Sequence, residues 1–157
     1  MQRTTKLAVA MAILLGFAGT PQVAAQATKK IYAQTLVDET LARHKEVVIM
    51  AMHVTPPGKT ENVIIASNIG RIGKKADEDD LRVINTGKPN LEVNTKGDHF
   101  EVELVMQDQS GKTIGAVGIV FMNEKGKEAE FQKKAEQIRD EMKAKTPTID
   151  KLFEATP

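Results

Sequence analysis

The sequence predicts an α+β domain: a central five-stranded antiparallel sheet, a helix before it, a short helix after its first hairpin and a closing helix. Three observations lead there. Phe100, Val102, Leu104 and Met106 alternate with His99, Glu101, Glu103 and Gln107, the period of a strand with one buried and one wet face. Short turn sequences, Thr95-Lys96-Gly97-Asp98 and Gln109-Ser110-Gly111-Lys112, join the later apolar runs, so those strands run antiparallel. Residues 29–44 and 127–145 instead space their apolar residues at helical intervals among many charges.

In order, Tyr32, Leu36, Val37 and Leu41 mark the inner stripe of the first helix, with Asp38, Glu39 and Arg43 between them. Residues 46–54 carry Val47, Val48, Ile49, Met50, Ala51 and Met52, an apolar run with little charge that reads as a buried strand. Thr55-Pro56-Pro57-Gly58 stops it, because proline cannot donate to a ladder, and 61–68 return as the second strand of a hairpin. After an irregular stretch over 69–75, Asp77 is placed to cap a helix, with Glu78, Asp79 and Asp80 in its first turn. Gly87 stands where a helix end turns left-handed, and Pro89 enforces the stop. Residues 91–94 form a short strand. Residues 113–122 are apolar on both faces, which makes that strand central, and Gly115 and Gly118 within it signal close approach of a backbone or a ligand. Phe131, Ala135, Ile138 and Met142 form the stripe of the closing helix, and one more turn is expected around 149–153. All helices are expected to cover one side of the sheet, leaving Glu101 and Glu103 on the solvent side.

Composition narrows the function. The 157 residues carry 22 Lys and Arg against 21 Asp and Glu. That balance opposes a nucleic-acid partner, whose phosphates call for a basic excess. Cysteine is absent, which excludes disulfides, thiolate metal sites and thiol nucleophiles. Arg3 and Lys6, a 12-residue uncharged run over 7–18 and the small-residue pattern Ala25-Gln26-Ala27 have the three-part layout of a secretory signal peptide, residues 1–27. The run is too short for a membrane span, which takes about 20 apolar residues. Cleavage leaves one domain over 28–157, without a stable membrane span and located in the periplasm.

The element order resembles that of a single Cache domain, a PAS-like module that senses small molecules outside the bacterial inner membrane. Val63-Ile64-Ile65-Ala66-Ser67-Asn68-Ile69-Gly70 resembles the second strand of such domains leaving toward the segment that covers the ligand. Gln107-Asp108-Gln109-Ser110-Gly111-Lys112-Thr113-Ile114-Gly115 resembles their late hairpin. The likeness runs over residues 30–143. It implies a cleft between a curved sheet and residues 68–87. Most Cache domains sit between membrane helices and feed a signalling module, and this sequence shows neither.

The strongest functional candidate is Ile69-Gly70-Arg71-Ile72-Gly73-Lys74-Lys75. Its glycines let backbone amides approach an anion, and Arg71 offers a planar fork to a carboxylate. The spacing is not that of a P-loop, and the plain alternative is an exposed, solvated loop. Asn68, Arg71, Lys74 and Met106 are the expected cleft residues, with Gly115 giving room. Asp77, Asp79 and Asp80 are explained by helix capping rather than by a bound cation. Met50, Met52, His53, His44 and His99 raise the question of copper, but core packing accounts for the methionines, and no metal site and no cofactor are expected. Ser67 and Ser110 lack a nucleophile elbow, and Glu101 and Glu103 on a wet face offer no pair of separated pKa values. The expectation is therefore a non-catalytic, periplasmic sensor-type protein for a small polar or anionic ligand, an organic acid or an amino acid. It would work with a periplasmic or membrane signalling partner, with a homodimer through the N-terminal helix also open. The rival is a structural or interaction protein with the same fold and a closed cleft.

Overall fold

The computed structural model describes residues 29–156. The expected signal peptide, residues 1–27, lies outside the described residues. The elements are α1 (Tyr32–Arg43), β1 (Val47–Val54), β2 (Val63–Ser67), α2 (Glu78–Thr86), β3 (Asn90–Val93), β4 (His99–Gln107), β5 (Thr113–Met122) and α3 (Glu128–Ala144). A 3-10 turn at Asp150–Phe153 follows. The five strands form one sheet in the order β2-β1-β5-β4-β3, and every pair is antiparallel. The last strand thus enters between the first and the fourth, which is why 113–122 are apolar on both faces.

The main core lies on one face. Leu36 and Val37 of α1 and Phe131, Ile138 and Met142 of α3 pack on Met50, Met52, Phe100, Val102, Leu104, Met106, Ile119 and Phe121. Phe121 and Phe131 stack with ring centroids 4.8 Å apart. The alternation read in β4 sets this face, since Phe100, Val102, Leu104 and Met106 are all buried. The apolar side of α1 is spent here, on the core, and Tyr32 N–H donates to Glu154 O at 2.8 Å while Thr156 N–H donates to Lys30 O at 2.8 Å. No helix among the described residues is long and apolar enough to cross a membrane.

The expectation that all helices share one side is corrected by α2, which packs on β4 and β5 from the opposite face. Val83 of α2 is fully buried there, and Ile64, Ala116 and Val120 are buried on the same side of the sheet. The start of α2 follows its sequence. Asp77 Oδ1 accepts from Asp79 N–H and Asp80 N–H, and Asp80 Oδ2 accepts from Asp77 N–H at 2.8 Å, a reciprocal capping box. Gly87 ends the helix at φ 69° with its N–H on Val83 O, a backbone position that a Cβ disfavours.

The loop between β2 and α2 does not wander. Ile64 N–H donates to Lys74 O, Gly73 N–H to Ile64 O and Ala76 N–H to Asn62 O, so the loop folds back along the free edge of β2. Left-handed Gly70 and Gly73 make the bends that this return needs.

Candidate functional site

A cavity of about 190 Å³ lies between the sheet and the segment leading into α2. Its floor comes from Ala51 and His53 of β1, Gly118 and Val120 of β5, and Glu101 and Glu103 of β4. Asn90 and Glu92 of β3 close one side, Asp77, Asp79 and Asp80 of α2 and its cap close the top, and Ile69, Arg71 and Lys74 of the loop stand at the mouth.

Two of the expected cleft residues, Arg71 and Lys74, lie at this cavity. Lys74 Nζ is 4.0 Å from Asp77 Oδ2, whereas Arg71 forms no ion pair among the described residues. The other three have different places. Met106 is fully buried on the opposite face, inside the main core. Asn68 braces the β1 edge: its Oδ1 accepts from Met50 N–H at 3.0 Å and its Nδ2 donates to Val48 O at 3.0 Å. Gly115 does give room, but to a backbone, since a Cβ there would stand 1.9 Å from His53 O. The Gln107–Gly115 hairpin likewise has a structural purpose. Buried Asp108 accepts from Ser110 N–H, Ser110 Oγ–H and Lys112 N–H and holds the turn closed.

The larger correction concerns Glu103. The alternation of β4 assigned it to water, yet α2 covers it and only 3% of it is exposed. His53 and Asp80 are each 7% exposed beside it. Three ionisable side chains from β1, α2 and β4 thus meet in one buried cluster. Asp80 Oδ2 is 3.2 Å from His53 Nδ1, close enough for charge attraction but off the line of a good hydrogen bond, and the Nδ1 atom has no hydrogen-bond partner. Glu103 Oε1 is also buried without a partner.

Two carboxyls this close cannot both be charged away from water, because burial and like charge each disfavour the second anion. Burial pushes the Glu103 carboxyl up to about 9, and the hydrogen-bonded Asp80 beside it adds to the rise. Burial also pushes Asp80 upward, but its contacts with His53, Glu103 and the Asp77 N–H outweigh that and hold it well below the usual carboxylate range. At neutral pH the pair therefore shares one proton: Asp80 is the anion, and Glu103 is the acid that hydrogen-bonds to it. Glu101, two residues along the same strand, shares the cleft floor but keeps an exposed side. Its carboxyl is raised by loss of surrounding water and by the charges of Asp80 and Glu92. Gly118 makes the space for it, since a Cβ there would lie 2.6 Å from Glu101 Oε1.

One signal could have revealed this cluster. A strand apolar on both faces, as 113–122 is, requires a cover on both faces, and that cover extends over the neighbouring Glu103. The remaining histidines are elsewhere: His44 pairs with Glu141 at 2.9 Å and His99 with Asp98 at 2.8 Å. No group of three or more His, Asp or Glu among the described residues has a metal-holding arrangement.

No protein-family model matches the chain, and no curated protein matches it. Solved structures do. The chain is similar to the GAF domain of A. aeolicus nlh2 in an inactive state, with a TM-score of 0.57 at 13% identity over 74% of this chain and 85% of that one. It is similar to the GAF domain of a two-component sensor histidine kinase from Bacillus halodurans, with a TM-score of 0.53 at 9% identity over 77% and 97%. It is also similar to the Agobacterium tumefaciens repressor BlcR, with a TM-score of 0.53 at 12% identity over 73% and 67%. Together with the strand order and the helix lying over the sheet, these likenesses establish a PAS/GAF-like fold.

Proposed function

We propose that this chain is an exported, non-catalytic sensor-type domain that binds a small polar molecule in the cleft beneath α2. The observation that carries the reading is Glu103, which lines a 190 Å³ cavity and whose buried Oε1 meets no hydrogen-bond donor. A buried polar atom without a partner costs about 1–3 kcal/mol, and a ligand that satisfies it recovers that cost. Two of the similar structures bear names of a sensor kinase and a repressor, in keeping with a regulatory role. Export rests on the layout of residues 1–27. It favours the Cache-like, extracytoplasmic version of the fold over an intracellular one, with the signal passed to a separate periplasmic or membrane partner.

A thermal-shift screen of small amino acids, amines and carboxylates tests the cleft. A binder gains stability as RT ln(1 + [L]/Kd), and a filled scaffold does not. A screen without a single shift overturns the binding reading in favour of an interaction scaffold. Intact mass of the protein from a periplasmic fraction tests export. A mass starting at Thr28 supports it, and retention of Met1 overturns it.

A further inference from the structure

We infer that the ligand carries an ammonium group, taken at the cleft floor by Glu103 and Glu101, with any carboxylate it also bears left to Arg71 and Lys74 at the mouth. This deepens the reading of the cleft as a small-molecule site and rests on it.

The cleft's own charges decide the matter. The groups facing it are His53 from β1, Asp77, Asp79 and Asp80 from α2 and its cap, Glu92 from β3, Glu101 and Glu103 from β4, and Arg71 and Lys74 from the loop. Six carboxyls thus face two permanent cations and one imidazole. Several acids are already matched. Asp79 accepts from Arg82 at 2.6 Å, Asp77 lies 4.0 Å from Lys74, and Asp80 takes the Asp77 N–H and faces His53. Glu92, Glu101 and Glu103 form no ion pair among the described residues. An organic acid seated on this floor would add a further negative charge to a site that already suppresses one ionisation. An ammonium reverses that imbalance.

Hydrogen-bond accounting agrees. The one proton shared by Asp80 and Glu103 satisfies a single Glu103 oxygen. The other remains an acceptor: Glu103 lines the cavity, and its buried Oε1 meets no donor in the structure. What it lacks is a donor, and an ammonium has three and no acceptor to waste. The absence of a side chain at Gly118 lets Glu101 lie across β5 within reach of the same space. The cations sit apart from this floor, at the mouth, which orients a zwitterion with its amine inward. Size sets the class. An apolar cavity of roughly 150 Å³ takes a benzene ring, so 190 Å³ suits a short aliphatic amine or amino acid.

The test uses four compounds of one chain length: butylamine, butane-1,4-diamine, 4-aminobutyrate and butyrate. Each is titrated calorimetrically into the processed chain and into Glu103→Gln, which keeps the size and a hydrogen bond to Asp80 but cannot release a proton to become the anion that a bound ammonium favours. The expected result is binding of the three ammonium compounds and not of butyrate, with amine affinity falling about tenfold or more in Glu103→Gln, the weight of a charged hydrogen bond. Melting temperature in the absence of ligand confirms that Glu103→Gln is folded. Binding of butyrate but of none of the amines overturns the ammonium inference and leaves the small-molecule reading intact. So does failure of all four if the wider screen returns a ligand without an amine. Amine binding that Glu103→Gln leaves unchanged also overturns the inference, by removing it from this floor. If neither the four compounds nor the wider screen binds, both readings fall together.

Discussion

Asp80 Oδ2 accepts the Asp77 N–H at 2.8 Å and stands 3.2 Å from His53 Nδ1, so one carboxylate closes the cap of α2 and faces the strand beneath it. Helix start, sheet and cleft therefore share an atom.

Asp80→Ala removes both connections. It opens the capping box and leaves His53 facing an unfilled space. The expected loss is about 1–3 kcal/mol by urea unfolding at neutral pH, the combined range of a lost cap and a lost charged contact. Asp80→Asn keeps an oxygen for the Asp77 N–H, and its loss should be the smaller. Equal stability of Asp80→Ala and wild type would mean that Val83 alone holds α2 on the sheet.

The cluster also gives the fold a pH dependence whose sign is fixed by two opposite shifts. Asp80 is held below its ordinary 3.8, so its contribution is present above that value and is lost as the pH falls toward its folded pKa. Glu103 is raised from 4.5 to about 9. Its contribution is complete below 4.5 and is lost as the pH rises to about 9, because the unfolded chain releases the proton first. Glu101 is raised as well and acts in the same direction. Stability should therefore fall between pH 5 and 9, with a slope for Glu103 of at most about 1.4 kcal/mol per unit. Glu103→Gln should flatten that slope and match or exceed wild type at pH 8. Denaturant midpoints measured from pH 5 to 9 check this, and identical slopes in the two proteins would count against the shared proton.

Much of this architecture is legible in the residues. Asp77 and Gly87 bracket α2, the alternation of β4 names its core face, and the twin-faced apolarity of 113–122 marks the sheet centre. The site is less legible, for a physical reason. Period-two alternation says which residues share a face and not what lies over it. Glu103 reads as wet because it is an acid among alternating apolar residues. It becomes buried only when a nine-residue helix, far from it in sequence, lies down on that face. Met106 fails as a cleft residue for the same reason in reverse: the alternation put it on the buried face, and the buried face is the one that the cleft does not use. Asn68 and Gly115 are of types that suit a ligand or a neighbouring strand equally, and here the strand is what they serve.

The two inner glycines of β5 should respond differently to the same added methyl group. A Cβ at Gly115 meets the His53 carbonyl oxygen at 1.9 Å, and this backbone atom belongs to a central strand pair that cannot retreat. A Cβ at Gly118 meets Glu101 Oε1 at 2.6 Å, the free end of a side chain that can swing away. Gly115→Ala should cost about 3 kcal/mol or more, at the upper end of overpacking, and Gly118→Ala about 1 kcal/mol or less. Thermal unfolding of the two variants checks the order. A reversal would mean that Glu101 is held in place more firmly than the strand backbone.

Arg71 offers the sharpest separation of fold from binding. It is exposed, it forms no ion pair among the described residues, and it sits between two left-handed glycines in a loop fixed by backbone hydrogen bonds to β2. Arg71→Ala should therefore shift stability by no more than about 0.5 kcal/mol. Its effect on ligands should depend on their far end. With the ammonium on Glu103, a carboxylate at the other end of a four-carbon chain points to the mouth, where a planar guanidinium grips it in two places. Affinity for 4-aminobutyrate should drop by at least about 1.5 kcal/mol in Arg71→Ala, the lower range for a charge-assisted bond, while affinity for butylamine stays as it was. Lys127→Ala, an exposed lysine beside α3 that pairs with Glu124 at 3.1 Å, serves as the control and should change neither. Equal losses for both compounds would show Arg71 acting on the shape of the cleft. No loss for either would make the loop ordinary solvated surface and leave the carboxylate end of the ligand to Lys74 or to water.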